Sequence, residues 1–336
     1  METVKLGING FGRIGKLILR EALKRDNVEV VAINDIMDVG HVAHALMFDS
    51  VHGHFRGNVE IIDGKLFVNG KNIRVTSEKD PTLIAWDTVG VDVVAECTRR
   101  FNTAEDAKKH LVGGAKKVVI ASTSSDVPMF VIGVNHNKAT FADTVVSNSS
   151  GAANCFAPIA MVLHEKFSII EGAVTTIQGS SSAQPITDVQ SKKYYRRGRS
   201  GLLNIIPSYT GAGLAVESMI PELKDKLLAT SMRVPVGNVS LIDFTVRLEA
   251  GTSYSEIMET FDAASNSNLK GILGITKNQL VSQDFISDTR SAIIDFYAGG
   301  EINANFYKIV AWYDNEYAYS CRVIDLSVYI NGLVKP

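Results

Sequence analysis

The sequence predicts an α/β protein of two domains. The first is a doubly wound parallel-sheet domain over residues 1–150. The second is an α+β domain with a mixed or antiparallel sheet over 151–316, and a last helix, 317–336, rejoins the first domain. Three observations predict this. Short apolar runs alternate with helix-periodic segments through the first half of the chain. A glycine-rich turn joins the first such run to the first helical segment. After residue 150 the runs become longer, β-branched or alternating. A length of 336 residues is also more than one core usually serves.

The elements follow in order. Residues 4–9 read as a buried strand. In "RIGKLILREALKR" the apolar Ile14, Leu17, Ile18 and Ala22 fall at helical spacing. Residues 29–34, 91–96 and 117–121 read as further strands, with a helix at 103–111 between the last two. Residues 152–166 read as a helix. "GAVTTIQ", "TSMRVPVGNVSLIDFTVRLEA" and "NANFYKIVAWYD" carry the strand pattern of the second sheet. Residues 317–333 read as a helix. There is no internal repeat or low-complexity tract, and the domain boundary falls near Ser150.

Composition narrows the function classes. Hydrophobic residues make up 46% and charged residues 21% of the chain, ordinary for a soluble globular protein. A net charge of −2 gives no global pull toward nucleic acid or membrane. Cys97, Cys155 and Cys321 are scattered and form no C-x-x-C pair, so neither a disulfide framework nor a cysteine zinc site is expected. His41 and His44 lie three apart on a helical stretch, with His52 and His54 nearby, but further ligands are lacking and no metal site is expected. There is no signal-peptide pattern and no apolar run of membrane-spanning length. The expected setting is the reducing cytoplasm.

Gly10, Gly12 and Gly15 have the G-x-G-x-x-G spacing between a strand and a helix. Gly10 permits the tight turn, Gly12 lets backbone approach a pyrophosphate, and Gly15 lets the helix pack closely on the sheet. The helix amino end then faces the phosphates. Asp35, twenty residues past Gly15, ends the second strand. Its carboxylate suits a ribose 2′-hydroxyl and repels a 2′-phosphate, which favours NAD over NADP in this Rossmann-type domain.

"KLGINGFGRIGKL", "VVAINDI", "FDSVHGHF", "NIIPSYTGAG", "MRVPVGNVSLIDFTVRLE" and "WYDNEYAYSCRVIDL" together resemble the glyceraldehyde-3-phosphate dehydrogenase family from Val4 to about Ile330. The resemblance implies a homotetramer, an NAD domain followed by a catalytic domain, and a last helix returning to the first. It also implies a cysteine thiolate that attacks an aldehyde and a histidine that activates the thiol and acts as base.

This chain departs from the family's pattern at those two positions. The family's S-N-A-S-C-T-T-N-C is "SNSSGAANC" here, which puts Gly151 at the nucleophile. The family's T-T-x-H-S-Y-T is "TTIQGSS", which puts Gln178 at the base. For the substrate phosphate, the resemblance carries over Arg233 and Ser181, while Ala183 has no hydroxyl. For inorganic phosphate it carries over Ser150, Thr210 and Gly211, while Ala152 has no hydroxyl. For NAD it carries over Asn9, Gly10, Phe11, Gly12, Arg13, Ile14, Asn34, Asp35, Thr98 and Asn315. The family's E-S-T-G-x-F is "ECTRRF", so Arg99 and Arg100 stand beside the cofactor, either crowding it or adding contacts to its phosphates. Cys155 corresponds to a second, non-catalytic family cysteine. Ser149 and Ser150 have no base at the family position.

The expected function is therefore a catalytically inactive homologue that still binds NAD, and a phosphosugar or inorganic phosphate, in a regulatory or scaffold role. Two alternatives stand beside it. One is an NAD-dependent aldehyde oxidoreductase with altered chemistry. The other is an RNA- or protein-binding module, for which the basic segment "SKKYYRRGR" would serve. The resemblance places that segment against a neighbouring subunit, so nucleic acid is not the expected partner.

Overall fold

The structure, a computed structural model, describes residues 3–181, 183–192 and 194–334. The chain divides into two compact units. Residues up to Ser150, with those from Tyr319 onward, form the first, and Gly151–Ala318 form the second.

In the first unit, β1 (Val4–Asn9) leads through the glycine turn into α1 (Arg13–Ala22). Leu6 and Ile8 are fully buried, as a central parallel strand requires. There follow β2 (Val28–Asn34), α2 (Val39–Met47), β3 (Val59–Ile62), β4 (Lys65–Val68), β5 (Lys71–Thr76), β6 (Val93–Glu96), α3 (Ala104–Val112), β7 (Lys117–Ile120) and β8 (Val145–Ser147). The sheet order is β3-β4-β5-β2-β1-β6-β7-β8. From β5 to β8 every pairing is parallel. The expected parallel sheet is therefore present, with an antiparallel edge, β3-β4-β5, that the strand pattern did not assign. Two tight hairpins make this edge. Asp63 and Gly64 have φ of 49° and 74°, and Asn69 and Gly70 have φ of 50° and 77°, both positive as type I′ hairpin turns require.

In the second unit α4 (Gly151–Phe167) is the central helix, and its buried run extends from Ala152 to Leu163. A helix apolar on all sides belongs inside a core. Around it come β9 (Ile169–Gly179), β10 (Ile206–Ser208), α5 (Ala212–Met219), β11 (Leu227–Val234), β12 (Ser240–Leu248), α6 (Tyr254–Asn266), β13 (Leu273–Thr276), β14 (Ala292–Asp295), β15 (Gly300–Asn303) and β16 (Phe306–Tyr313). The sheet order is β10-β11-β9-β12-β16-β14-β13, with β15 beside β16. It is mixed, as expected: β11–β9 and β13–β14 are parallel and the other pairings antiparallel. Phe156 of α4 meets Phe244 of β12 edge-on, ring centroids 4.8 Å apart, which fixes the helix to the sheet.

The last helix, α7 (Tyr317–Asn331), joins the first unit from Tyr319. Val323, Ile324, Leu326 and Ile330 enter that unit's core beside Leu6 and Ile18. Arg25 Nη1 pairs with Asp325 at 2.5 Å, and Lys117 Nζ donates to the Ile330 carbonyl at 2.6 Å. Among the described residues no helix is long and apolar enough to cross a membrane, and no group of His, Cys, Asp and Glu could hold a metal ion.

Candidate cofactor and substrate site

In the first unit the site residues gather at the carboxyl ends of β1, β2 and β6. Gly10 has φ of 92°, and a Cβ there would lie 2.8 Å from Thr98 Cγ2. At Gly15 a Cβ would lie 2.1 Å from the Gly10 carbonyl oxygen, so any side chain would push α1 off the turn. At Gly12 a Cβ meets nothing within 4 Å, and no side chain caps α1. The amino end of α1, with Phe11 before it and Arg13 and Ile14 opening it, is thus an open backbone cradle that fits a pyrophosphate. Asp35 is tied to this turn. Its Oδ2 accepts from the Phe11 N–H at 2.6 Å and its Oδ1 from the Met37 N–H at 3.1 Å.

A buried polar chain runs beneath the turn. Asn34 Nδ2 donates to Asn9 Oδ1 at 2.8 Å, and Asn9 Nδ2 donates to Glu96 Oε2 at 2.5 Å. Glu96 is 1% exposed and His110 0%. Glu96 Oε1 accepts from the Thr98 N–H at 2.7 Å and from the Thr98 hydroxyl. His110 Nδ1 accepts from Trp86 Nε1 at 3.2 Å, so Nε2 carries the ring proton and donates to Glu96 at 2.9 Å. Glu96 therefore sets both Asn9 and Thr98. Glu96, His110 and Trp86 carry no local sequence signal of a site, because nothing in their spacing shows that they meet.

Arg99 is exposed and sits in the left-handed region at φ 61°. The backbone keeps a glycine's conformation while the side chain is an arginine's. Ser150 closes the first unit, half-buried, after Ser149, whose φ is 57° and whose carbonyl accepts from the Tyr319 hydroxyl at 2.8 Å.

In the second unit Gly151 opens α4, and a Cβ there would meet nothing closer than the Asn315 carbonyl oxygen at 3.5 Å. Asn315 Oδ1 accepts from Ser240 Oγ at 2.7 Å. Cys155, one turn further along α4, is fully buried, and that burial pushes its thiol well above the usual range. Burial also pushes the Cys321 thiol, in the first unit, up to about 12. Neither is a ready nucleophile. Gln178, near the end of β9, donates to Thr176 Oγ1 at 3.1 Å. Arg233 stands opposite it on β11 and donates to the Gly179 carbonyl at 3.0 Å. Ser181 donates through N–H and hydroxyl to Gln184 Oε1 at 3.0 and 2.9 Å. Thr210 Oγ1 accepts from the Ala212 N–H at 3.2 Å beside Gly211, the residue before α5.

Two family models match the chain. Residues 4–104 match the glyceraldehyde 3-phosphate dehydrogenase NAD binding domain, and residues 150–315 match the C-terminal domain of the same enzyme. The chain belongs to the glyceraldehyde-3-phosphate dehydrogenase family. It is 50% identical over 329 residues to glyceraldehyde-3-phosphate dehydrogenase of Phaeosphaeria nodorum, covering 98% of each chain. It is 49% identical over 330 residues to glyceraldehyde-3-phosphate dehydrogenase A of Escherichia coli K12, covering 98% of this chain and 99% of that one. As in that family, the first unit carries an NAD-binding domain, and its open turn with Asp35 suits the unphosphorylated dinucleotide.

Proposed function

We propose that this chain is a glyceraldehyde-3-phosphate dehydrogenase homologue without aldehyde-oxidising activity. It binds NAD, and a phosphate ester or inorganic phosphate, as a regulatory or scaffold protein of the cytoplasm. The observation that carries the reading is Gly151. The residue at the family's nucleophile position has no side chain, and Cys155, the nearest thiol along α4, is buried and protonated. Gln178 supports it from the other side, since an amide cannot take a proton near neutral pH. NAD supplies a hydride acceptor when bound, but without a thiol no hydride donor is formed on the protein. Each 1.36 kcal/mol of lost transition-state stabilisation costs tenfold, and loss of the nucleophile removes the covalent route itself.

A homotetramer belongs to the same reading. Tyr195, Leu203 and Tyr209 are 89%, 83% and 75% exposed on the second unit, a set of large apolar side chains that a neighbouring subunit would cover. Tyr194, Tyr195 and Tyr209 line a cavity of about 720 Å³ with Arg196 and Arg197. Lys193 in this basic segment lies outside the described residues.

Calorimetric titration with NAD, beside an NADH absorbance assay with glyceraldehyde 3-phosphate, NAD and phosphate, tests the proposal. Saturable NAD binding without turnover is the expected pair of results. Turnover at a family enzyme's rate sinks the inactive reading, and no heat up to millimolar NAD removes the cofactor from it.

A further inference from the structure

Arg99 combines a strained backbone with an exposed charge. Its φ of 61° lies in the left-handed region that glycine adopts freely and a long side chain does not. The side chain is exposed, and among the described residues its guanidinium has no hydrogen-bond or ion-pair partner. Strain of this kind clusters at ligand sites. Arg99 also stands at the dinucleotide turn. Thr98, the residue before it, packs on Gly10, where an added Cβ would lie 2.8 Å from Thr98 Cγ2. The Thr98 hydroxyl accepts from the Arg100 N–H at 3.1 Å, and Glu96 accepts from the Thr98 N–H at 2.7 Å, so Arg99 sits in a turn tied at both ends. The Glu96 carboxylate is buried beneath this turn, where Asn9, Thr98 and His110 donate to it.

The strand order tells which half of a dinucleotide Arg99 meets. A doubly wound sheet binds a dinucleotide across the point where the order reverses, one nucleotide on each side. Here β2 and β5 lie on one side of the β1–β6 pair, and β7 and β8 on the other. Asp35, suited to the adenosine ribose, follows β2. Arg99 follows β6, on the side left for the nicotinamide. Its charge is felt there. Burial raises the Cys97 thiol well above its usual range and Glu96 adds to this, while Arg99 opposes both. Burial first, and Cys97 second, raise the Tyr319 phenol, and Asn148 and Arg99 oppose them. Tyr319 in turn donates to the carbonyl of Ser149, just past β8. The positive field of Arg99 therefore covers the carboxyl ends of β6 and β8.

The two redox states of the cofactor differ by one charge at the ring. Oxidised nicotinamide is a cation and reduced nicotinamide is neutral. A fixed cation on this side repels the first and leaves the second alone, while its attraction for the phosphates is common to both. We infer that the first unit binds NADH in preference to NAD, and that Arg99 sets the preference. The inference rests on the proposed cofactor binding and names the redox state that the chain reads. For charges about 8 Å apart near a protein surface, a factor of roughly five is expected.

Calorimetry on the full chain, titrated separately with NADH and NAD, tests it. Arg99→Gly and Arg99→Asn both suit a left-handed backbone and remove the charge, and Arg99→Lys keeps the charge. The native chain is expected to bind NADH about fivefold tighter than NAD. The glycine and asparagine variants, folded by thermal melt, are expected to lose that ratio, and the lysine variant to retain most of it. A merely structural role would change both affinities together and leave their ratio alone. Equal affinities in the native chain, or a ratio unchanged in the glycine and asparagine variants, overturn the inference while cofactor binding stands. No heat from either dinucleotide overturns it together with the cofactor claim.

Discussion

Gly151 lacks a side chain, yet the backbone around it has room for one. The nearest atom to an added Cβ lies at 3.5 Å, an ordinary contact, so Gly151→Cys should fold without shifting α4. A thiol alone would remain mostly protonated, and an imidazole alone has nothing to activate. The double variant Gly151→Cys with Gln178→His is therefore expected to form NADH from glyceraldehyde 3-phosphate where neither single variant does. A folded double variant without activity would mean that the rest of the site has also been lost. Arg99 makes a separate residue-scale case. Holding a non-glycine residue at φ 61° costs on the order of 1 kcal/mol. Arg99→Gly should raise Tm by roughly 2 °C in a thermal melt, and an unchanged or lower Tm would show that the arginine side chain repays its backbone strain.

At the scale of elements, two connections hold the dinucleotide turn. Glu96 links β6 to β1 and α3 by accepting from Thr98, Asn9 and His110. Glu96→Gln turns an amide donor toward groups that are already donors. A loss of about 3 kcal/mol in denaturant unfolding is expected, with weaker NAD binding as Asn9 and Thr98 loosen. Lys16 on α1 pairs with Asp49, just past α2. Burial alone would raise the Asp49 pKa, but Lys16 and the His52 and Val51 N–H groups outweigh it and lower it to about 2. A folded pKa below the unfolded one gives stability that is full above about pH 4 and is lost as pH falls through 2. Lys16→Met should move the acid-unfolding midpoint to higher pH, and an unmoved midpoint would show that the pair contributes nothing.

The legibility of these elements differed for physical reasons. The central strands were readable because strands buried on both faces are continuous apolar runs, as 4–9 and 117–121 are. The β3-β4-β5 edge was not assigned, since β3 is mostly exposed and its composition is mixed. Its signal was present all the same in Asp63-Gly64 and Asn69-Gly70, the dipeptides that type I′ hairpins favour. The glycine turn and Asp35 were legible because their chemistry depends on local spacing. The pairing of Arg233 with Gln178 was not, because it depends on strand order and register that no short segment carries.

For the whole molecule, the two units differ in the functional groups they present. The first keeps the glycines, Asp35 and the buried support beneath them, the parts that dinucleotide binding uses. The second has its buried core helix and Arg233, with Gly151 and Gln178 at the positions that the proposed reading gives to the thiol and the base. On the proposed function the chain is a receptor rather than a catalyst. The most direct measurement is a single-turnover experiment, with the chain at a concentration comparable to glyceraldehyde 3-phosphate and with saturating NAD. No rise in NADH absorbance and no acylated protein by mass spectrometry are predicted. A burst of NADH approaching one equivalent per subunit, with an acyl adduct on the chain, would contradict the central claim.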